Sequence, residues 1–241
     1  MKKIYIILLS SFLIFGCTTQ QVQDAIGSIL GTNDSITESE AAGGLQDALG
    51  QGLKVGMGLL SKQDGFLGND LVKIPWPDQA KPILDVMQKL GMQKQVDNVT
   101  TSLNRAAEKA SGVAIDVFLN AVKQMTIKDA MNILLGGDGT ATAYLKKTTT
   151  PMLTEKFRPI ISNSLDQVNA TKLWGEAITV YNKVPLVKPV NADLTGFVTE
   201  KALDGIFKMV EKEENKIRAN PLARVSDLMK KVFGFADSKK S

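Results

Sequence analysis

The sequence predicts an all-α protein, one multi-helix globular domain behind a lipidated N-terminal tether, and three observations carry that prediction. Apolar residues recur at three- and four-residue intervals through nearly all of the chain after Ser39, the period of one buried helix face. Glycine, proline and capping residues interrupt this pattern at helix-length spacing. The strand-like run LVKPV, 186–190, is short and broken by Pro189.

The chain opens MKKIYIILLSSFLIFG, in which Lys2 and Lys3 precede an apolar run from Ile4 to Phe15. That is the shape of a signal peptide, and the run is shorter than the roughly 20 residues a spanning helix needs. It ends in Ile14-Phe15-Gly16-Cys17, which is similar to the bacterial lipobox: an aliphatic residue, a variable one, a small one, then the cysteine that takes the lipid. Residues 1–16 are therefore expected to be a lipoprotein signal peptide, and Cys17, the single cysteine, the lipidated first residue of the mature chain. At about 0.8 kcal/mol per buried methylene, two or more acyl chains hold a protein firmly to a membrane. The alternative is an ordinary secretory signal followed by a free thiol, a liability in an oxidising compartment. Thr18 follows the cysteine where an aspartate would signal inner-membrane retention, so the resemblance implies an outer-membrane anchor facing the periplasm. Residues 17–38, rich in Thr, Gln, Ser, Asn and Gly, read as a flexible tether with about 25 Å of average reach.

With Cys17 lipidated, the domain expected over residues 39–234 has no thiol left for a disulfide, so apolar burial must hold it together. The 44% hydrophobic content is enough for one sizeable core. Residues 235–241 read as a disordered tail.

The first helix begins near Ser39 and buries a stripe through Leu45, Ala48, Leu49, Leu53 and Leu60. It carries Gly43, Gly44, Gly50, Gly52, Gly56 and Gly58, each interior Gly being up to about 1 kcal/mol worse than Ala, so tertiary contact must hold it. Close backbone packing is one reading of these glycines and a flexible, ligand-gating helix the other. The loop KQDGFLGNDLVKIPWP follows, with Phe66 and Leu67 expected to pin it to the core and Pro75 and Pro77 excluding helix across Trp76. Helices are then expected over 78–90, stopped by Gly91, over 94–110, and over 113–125. Thr126 and Asp129 resemble a capping box opening a short helix to Leu135. After the loop GGDG, helices are expected over 140–149, 151–165 and 170–183, then from Asp193 to Ala219. Pro221 is expected to open the last, which ends at Phe233.

The chain has no histidine, which excludes serine–histidine and cysteine–histidine catalysis and ordinary zinc sites. No cofactor and no metal are expected: DGFLGND, 64–70, offers oxygen ligands but lacks the alternating spacing of a calcium loop. Without the signal's Lys2 and Lys3, the 29 basic residues fall to 27 against 25 acidic, a net charge near +2 with no basic stripe, so no nucleic-acid partner is expected.

GGDGTATAYLKK is the most suggestive stretch. A Gly-rich turn entering a helix leaves amides free at its positive end, so Gly136, Gly137 and Asp138, with Lys146, Lys147 and Arg105, form a candidate ligand or anion site. The competing reading has Asp138 capping its own helix. A candidate carboxylate cluster is Asp129, Glu200 and Asp204, the last two at i, i+4, although Lys201 and Lys208 interleave as on a solvated face. Arg105 with Glu108, and Arg218 and Arg224 either side of Pro221, suit either buried bridges between helices or a polar pocket.

MTIKDAMNILLGGDGTATAYLKKTT, LTEKFRPII, VTEKALDGIF, KEENKIRANPLAR and LMKKVFG, with DGFLGN, KIPWP and LNRAAEKA ahead of them, resemble the bacterial lipoproteins of domain of unknown function family 4197. The resemblance covers 39–234 and implies a secreted or lipidated all-helical domain with no assigned activity. Gly139 departs from the acidic or polar residue expected there. Three functions stand as expectations: a non-catalytic binding module tethered to the envelope, with an envelope protein or a lipid as partner; an enzyme with a carboxylate or divalent-metal site; and a carrier of lipid or another apolar ligand.

Overall fold

The computed structural model describes residues 35–183, 185–186 and 189–239. The expected signal peptide, the lipid on Cys17 and the tether up to residue 34 lie outside them.

Helix α1 spans Glu38–Leu60, opened by a capping box in which Thr37 and Glu40 satisfy each other's backbone amides. Its buried stripe contains Leu45, Leu49, Leu53, Met57 and Leu60, joined by three of the glycines. A Cβ on Gly44 would meet Val232 at 2.6 Å, and one on Gly56 would meet Met209 at 3.2 Å. The close-packing reading therefore holds at these positions, whereas a Cβ on Gly58 would meet open space.

The 61–77 loop is pinned as expected by Phe66, fully buried against Gly205. A 3-10 turn at Asp78–Ala80 leads into α2 (Lys81–Lys89), then α3 (Gln93–Ser111), α4 (Ala114–Lys123) and α5 (Ile127–Leu135). The capping box read at Thr126 and Asp129 is present at the start of α5.

Two helices had been expected across Pro151; there is one, α6, Thr140–Asp166, with Pro151 and Pro159 inside it. Both prolines are exposed. The carbonyls whose i+4 amide they delete belong to Lys147 and Glu155, also exposed, so water replaces the lost hydrogen bonds. On the other face, Leu145, Thr149, Leu153, Phe157, Ile161 and Leu165 form an unbroken buried row that keeps the helix together.

Next come α7 (Ala170–Tyr181) and α8 (Leu194–Ala219), which is buried on several sides and packs against α1, α3, α6 and α7. Pro221 opens only a 3-10 turn, Pro221–Ala223. The final helix α9 starts later than expected, at Asp227 after the Ser226 cap, and runs to Ser238. The expected tail from 235 is thus helical through Ser238, because Ala236 is buried and Asp237 pairs with Arg224 at 2.8 Å. No strand and no helix long and apolar enough to cross a membrane occurs among the described residues.

Candidate functional site

The GGDG loop joins α5 to α6, and its expected anion site is filled from within. Glu214 on α8 accepts from the Ala141 and Thr142 amides at 3.0 and 2.8 Å and from the Thr142 hydroxyl at 2.8 Å. A carboxylate at the positive end of α6 satisfies amides that a ligand would otherwise need. Four residues on, Arg218 donates to Glu214 at 2.9 Å and to the Ile133 carbonyl at 2.8 Å, and reaches the Leu134 and Gly136 carbonyls at 3.4 and 3.3 Å. One buried ion pair on α8 thereby caps the C-terminus of α5 and the N-terminus of α6.

Asp138 does not cap its helix. Gly139 occupies the cap position at φ +75°, a left-handed conformation that explains why glycine stands here, and its amide donates to Asn215. Asp138 and Lys147 are exposed, and Lys146 lies 5.8 Å over the Phe207 ring. Gly136, Gly137, Asp138, Lys146 and Lys147 thus do not converge on an open anion pocket. Arg105 works elsewhere, pairing with Glu108 at 2.6 Å and Asp64 at 2.8 Å. Glu108, only 4% exposed, accepts from the Phe66 and Leu67 amides and so holds the DGFLGN loop on α3. Of the two readings of the arginines, bridging is the one realised: Arg224 caps the end of α8 through the Ile217 and Arg218 carbonyls.

The expected carboxylate cluster is likewise dispersed. Asp129 belongs to its capping box, and the Thr126 hydroxyl and amide, ahead of Lys128 and Lys147, hold its carboxyl below the usual range. Asp204 pairs with Lys201 at 3.8 Å, and Glu200 faces a groove. No group of three or more acidic or other metal-binding side chains that could hold a metal ion occurs among the described residues.

That groove, about 410 Å³ and open to solvent, has a mixed polar and apolar lining. Pro77, Trp174 and Val190 make a buried floor, while Asn191, Asp193 and Glu200 form an exposed rim. Its strap is shaped by Asn182, whose side-chain amide pairs with both backbone groups of Val190, at 2.9 and 2.8 Å. Asp193 caps α8 by accepting from the Gly196 amide at 2.7 Å and pairs with Arg158 at 3.0 Å. The Gly196 hydrogen bond, then Arg158, holds its carboxyl below the usual range against a raising effect of burial. A side chain at Gly196 would collide with this pair.

Two indoles meet near the floor, Trp76 and Trp174, with ring centroids 6.3 Å apart and planes tilted by 55°. Trp76 donates to Thr100 at 2.8 Å. Trp174 is 4% exposed, and its Nε1 has no acceptor; nor has the buried Thr171 hydroxyl one turn before it any partner. An unsatisfied buried donor costs about 1–3 kcal/mol, and both atoms are sealed inside the packing rather than open to the groove. Sequence reasoning missed the groove because its lining comes from three segments separated by many residues.

The 20 Å³ void between α1, α6, α8 and α9, bordered by Leu49, Val210 and Phe233, has room for a water molecule and none for an acyl chain. In comparison with known proteins, a family model described as protein of unknown function (DUF4197) matches residues 35–234. No curated protein and no solved structure matches the chain.

Proposed function

The chain belongs to the DUF4197 family, and we propose that it is a non-catalytic binding module of the bacterial envelope, lipid-anchored at Cys17 to the outer membrane and facing the periplasm. One observation carries the binding reading: an open groove of about 410 Å³ with a buried floor of Pro77, Trp174 and Val190 and an exposed polar rim. The lipobox-like Ile14-Phe15-Gly16-Cys17 supports the anchor. Glu214 and Arg218 take up backbone groups at the helix ends that flank the GGDG loop.

Native mass spectrometry of the full lipidated protein, released gently from membranes, tests this reading. Wild-type protein is expected to carry additional bound mass, and Asn191→Trp, which fills the groove from an exposed position, is expected to lose it. Bound mass in neither protein, or equal mass in both, would contradict it.

A further inference from the structure

Helix α2 leaves the core as it proceeds. Ala80, just before it, is fully buried; Ile83, Leu84 and Met87 are half-buried; Leu90, at its end, is 71% exposed. Ile83, Leu84, Met87 and Leu90 share one helical stripe, so an apolar face runs from the domain out into solvent. A tight turn fixes where it stops. The Met92 amide donates to the Met87 carbonyl at 2.9 Å and the Gly91 amide to the Gln88 carbonyl at 3.0 Å, with Gly91 at φ +75°. These two bonds make the Schellman closure, which uses the left-handed residue that glycine supplies. Leu90 is thereby held at the exposed tip between α2 and α3, next to the half-buried Met92.

The charges around this tip are of one sign. Between Asp85 and Asp97 the chain holds Lys89 and Lys94 and no acidic residue. Both lysines are exposed, and neither makes an ion pair among the described residues. Asp85 falls on the side of α2 opposite the apolar stripe, and Asp97 accepts from Gln93. The exposed loop with Leu222 and Val225 lacks this pattern, because Asp227, 99% exposed, follows it directly.

We infer that the tip between α2 and α3 inserts into a phospholipid surface carrying anionic headgroups. Leu90 enters the acyl boundary, while Lys89 and Lys94 lie along the interface with their ammonium groups at the phosphates. An amphipathic helix with an apolar stripe and basic flanks is what partitions into such an interface, and lysine stems cover apolar surface while their heads stay wet. A protein partner would need a pocket matched to Leu90, whereas a fluid bilayer takes up a protruding side chain without one. This contact stands apart from the Trp174 groove and is additional to the anchor proposed at Cys17.

The full chain carrying Cys17→Ser has no thiol, so one cysteine can be introduced and labelled with an environment-sensitive fluorophore. The label is placed by Gln88→Cys beside the tip, or by Asp138→Cys, an exposed control beside the far end of α8. Each chain is mixed with vesicles of equal parts phosphatidylcholine and phosphatidylglycerol that carry a brominated lipid as quencher, and with vesicles of phosphatidylcholine alone. The label at position 88 is expected to be quenched in the anionic vesicles several-fold more than in the neutral ones, with the label at 138 unaffected. Leu90→Gln is expected to remove most of this quenching. Lys89→Gln is expected to lower the ratio of inserted to free tips about fivefold, the scale of one lysine at an anionic surface. The N-terminal apolar run is common to every chain compared, and Cys17 is absent from all of them, so no outcome bears on the anchor. Absence of quenching at 88, equal quenching at 138, equal quenching in neutral vesicles, or no change in Leu90→Gln or Lys89→Gln would each overturn the inference.

Discussion

Glu214 and Arg218 decide what the GGDG loop is. Removing the carboxylate leaves Arg218, 7% exposed, as an uncompensated charge and frees the Ala141 and Thr142 amides. Glu214→Ala is therefore expected to lower stability by about 3–5 kcal/mol, read by urea unfolding. An exposed charge such as Asp138 changed to Ala should move it by less than about 0.5 kcal/mol. The free amides of a Gly-rich turn were legible in the sequence, and so was a bridging role for Arg218. Their filling was not, because Glu214 lies more than 70 residues from Thr142 along the chain. A signal did exist: Val210, Glu214 and Ile217 fall on one helical stripe, so Glu214 is a charge on an apolar face. It was masked by KEENK, whose other charges read as solvated. The orphaned Trp174 left no such trace, since an unpaired donor is a property of packing alone.

Among the elements, α1 shows how far local reading reaches. Its buried stripe and the need for tertiary support follow from spacing and glycine count, but which glycines are needed depends on their neighbours. Gly44→Ala is expected to cost about 1–3 kcal/mol, because Val232 on α9 occupies the space, whereas Gly58→Ala should be neutral or stabilise by up to about 1 kcal/mol; thermal unfolding of the two variants checks this contrast. Helix α6 shows the opposite case. Proline is a correct reason to end a helix, overruled here because both prolines face water while the buried row opposite continues. The Asp193 cap of α8 adds a pH dependence. Its carboxyl titrates below its unfolded value, so its contribution is present above the ordinary aspartate range near pH 4 and disappears as pH falls through the lower folded value. Asp193→Asn should thus be less stable than wild type at neutral pH, the difference shrinking towards pH 2; denaturant unfolding across that range measures it.

At the scale of the whole molecule, the all-α class and a single domain were legible from periodicity and punctuation, and the family assignment over 35–234 agrees with the motifs that suggested it. The extent of the C-terminus was misread, because Arg224–Asp237 is a long-range pair that no local composition announces. Cys17→Ser is expected to move the protein from the membrane to the soluble fraction, read by fractionation and by loss of labelling with an acyl-chain analogue. The most direct test of the account is photo-crosslinking in intact cells from Gln79 and Asn191 on the groove rim, with exposed Asp138, beside the far end of α8, as the distant control. The account predicts one discrete crosslinked species from both rim positions, absent from Asp138 and lost from Gln79 in Asn191→Trp. Crosslinks equally frequent from Asp138, or none from the rim, would contradict it.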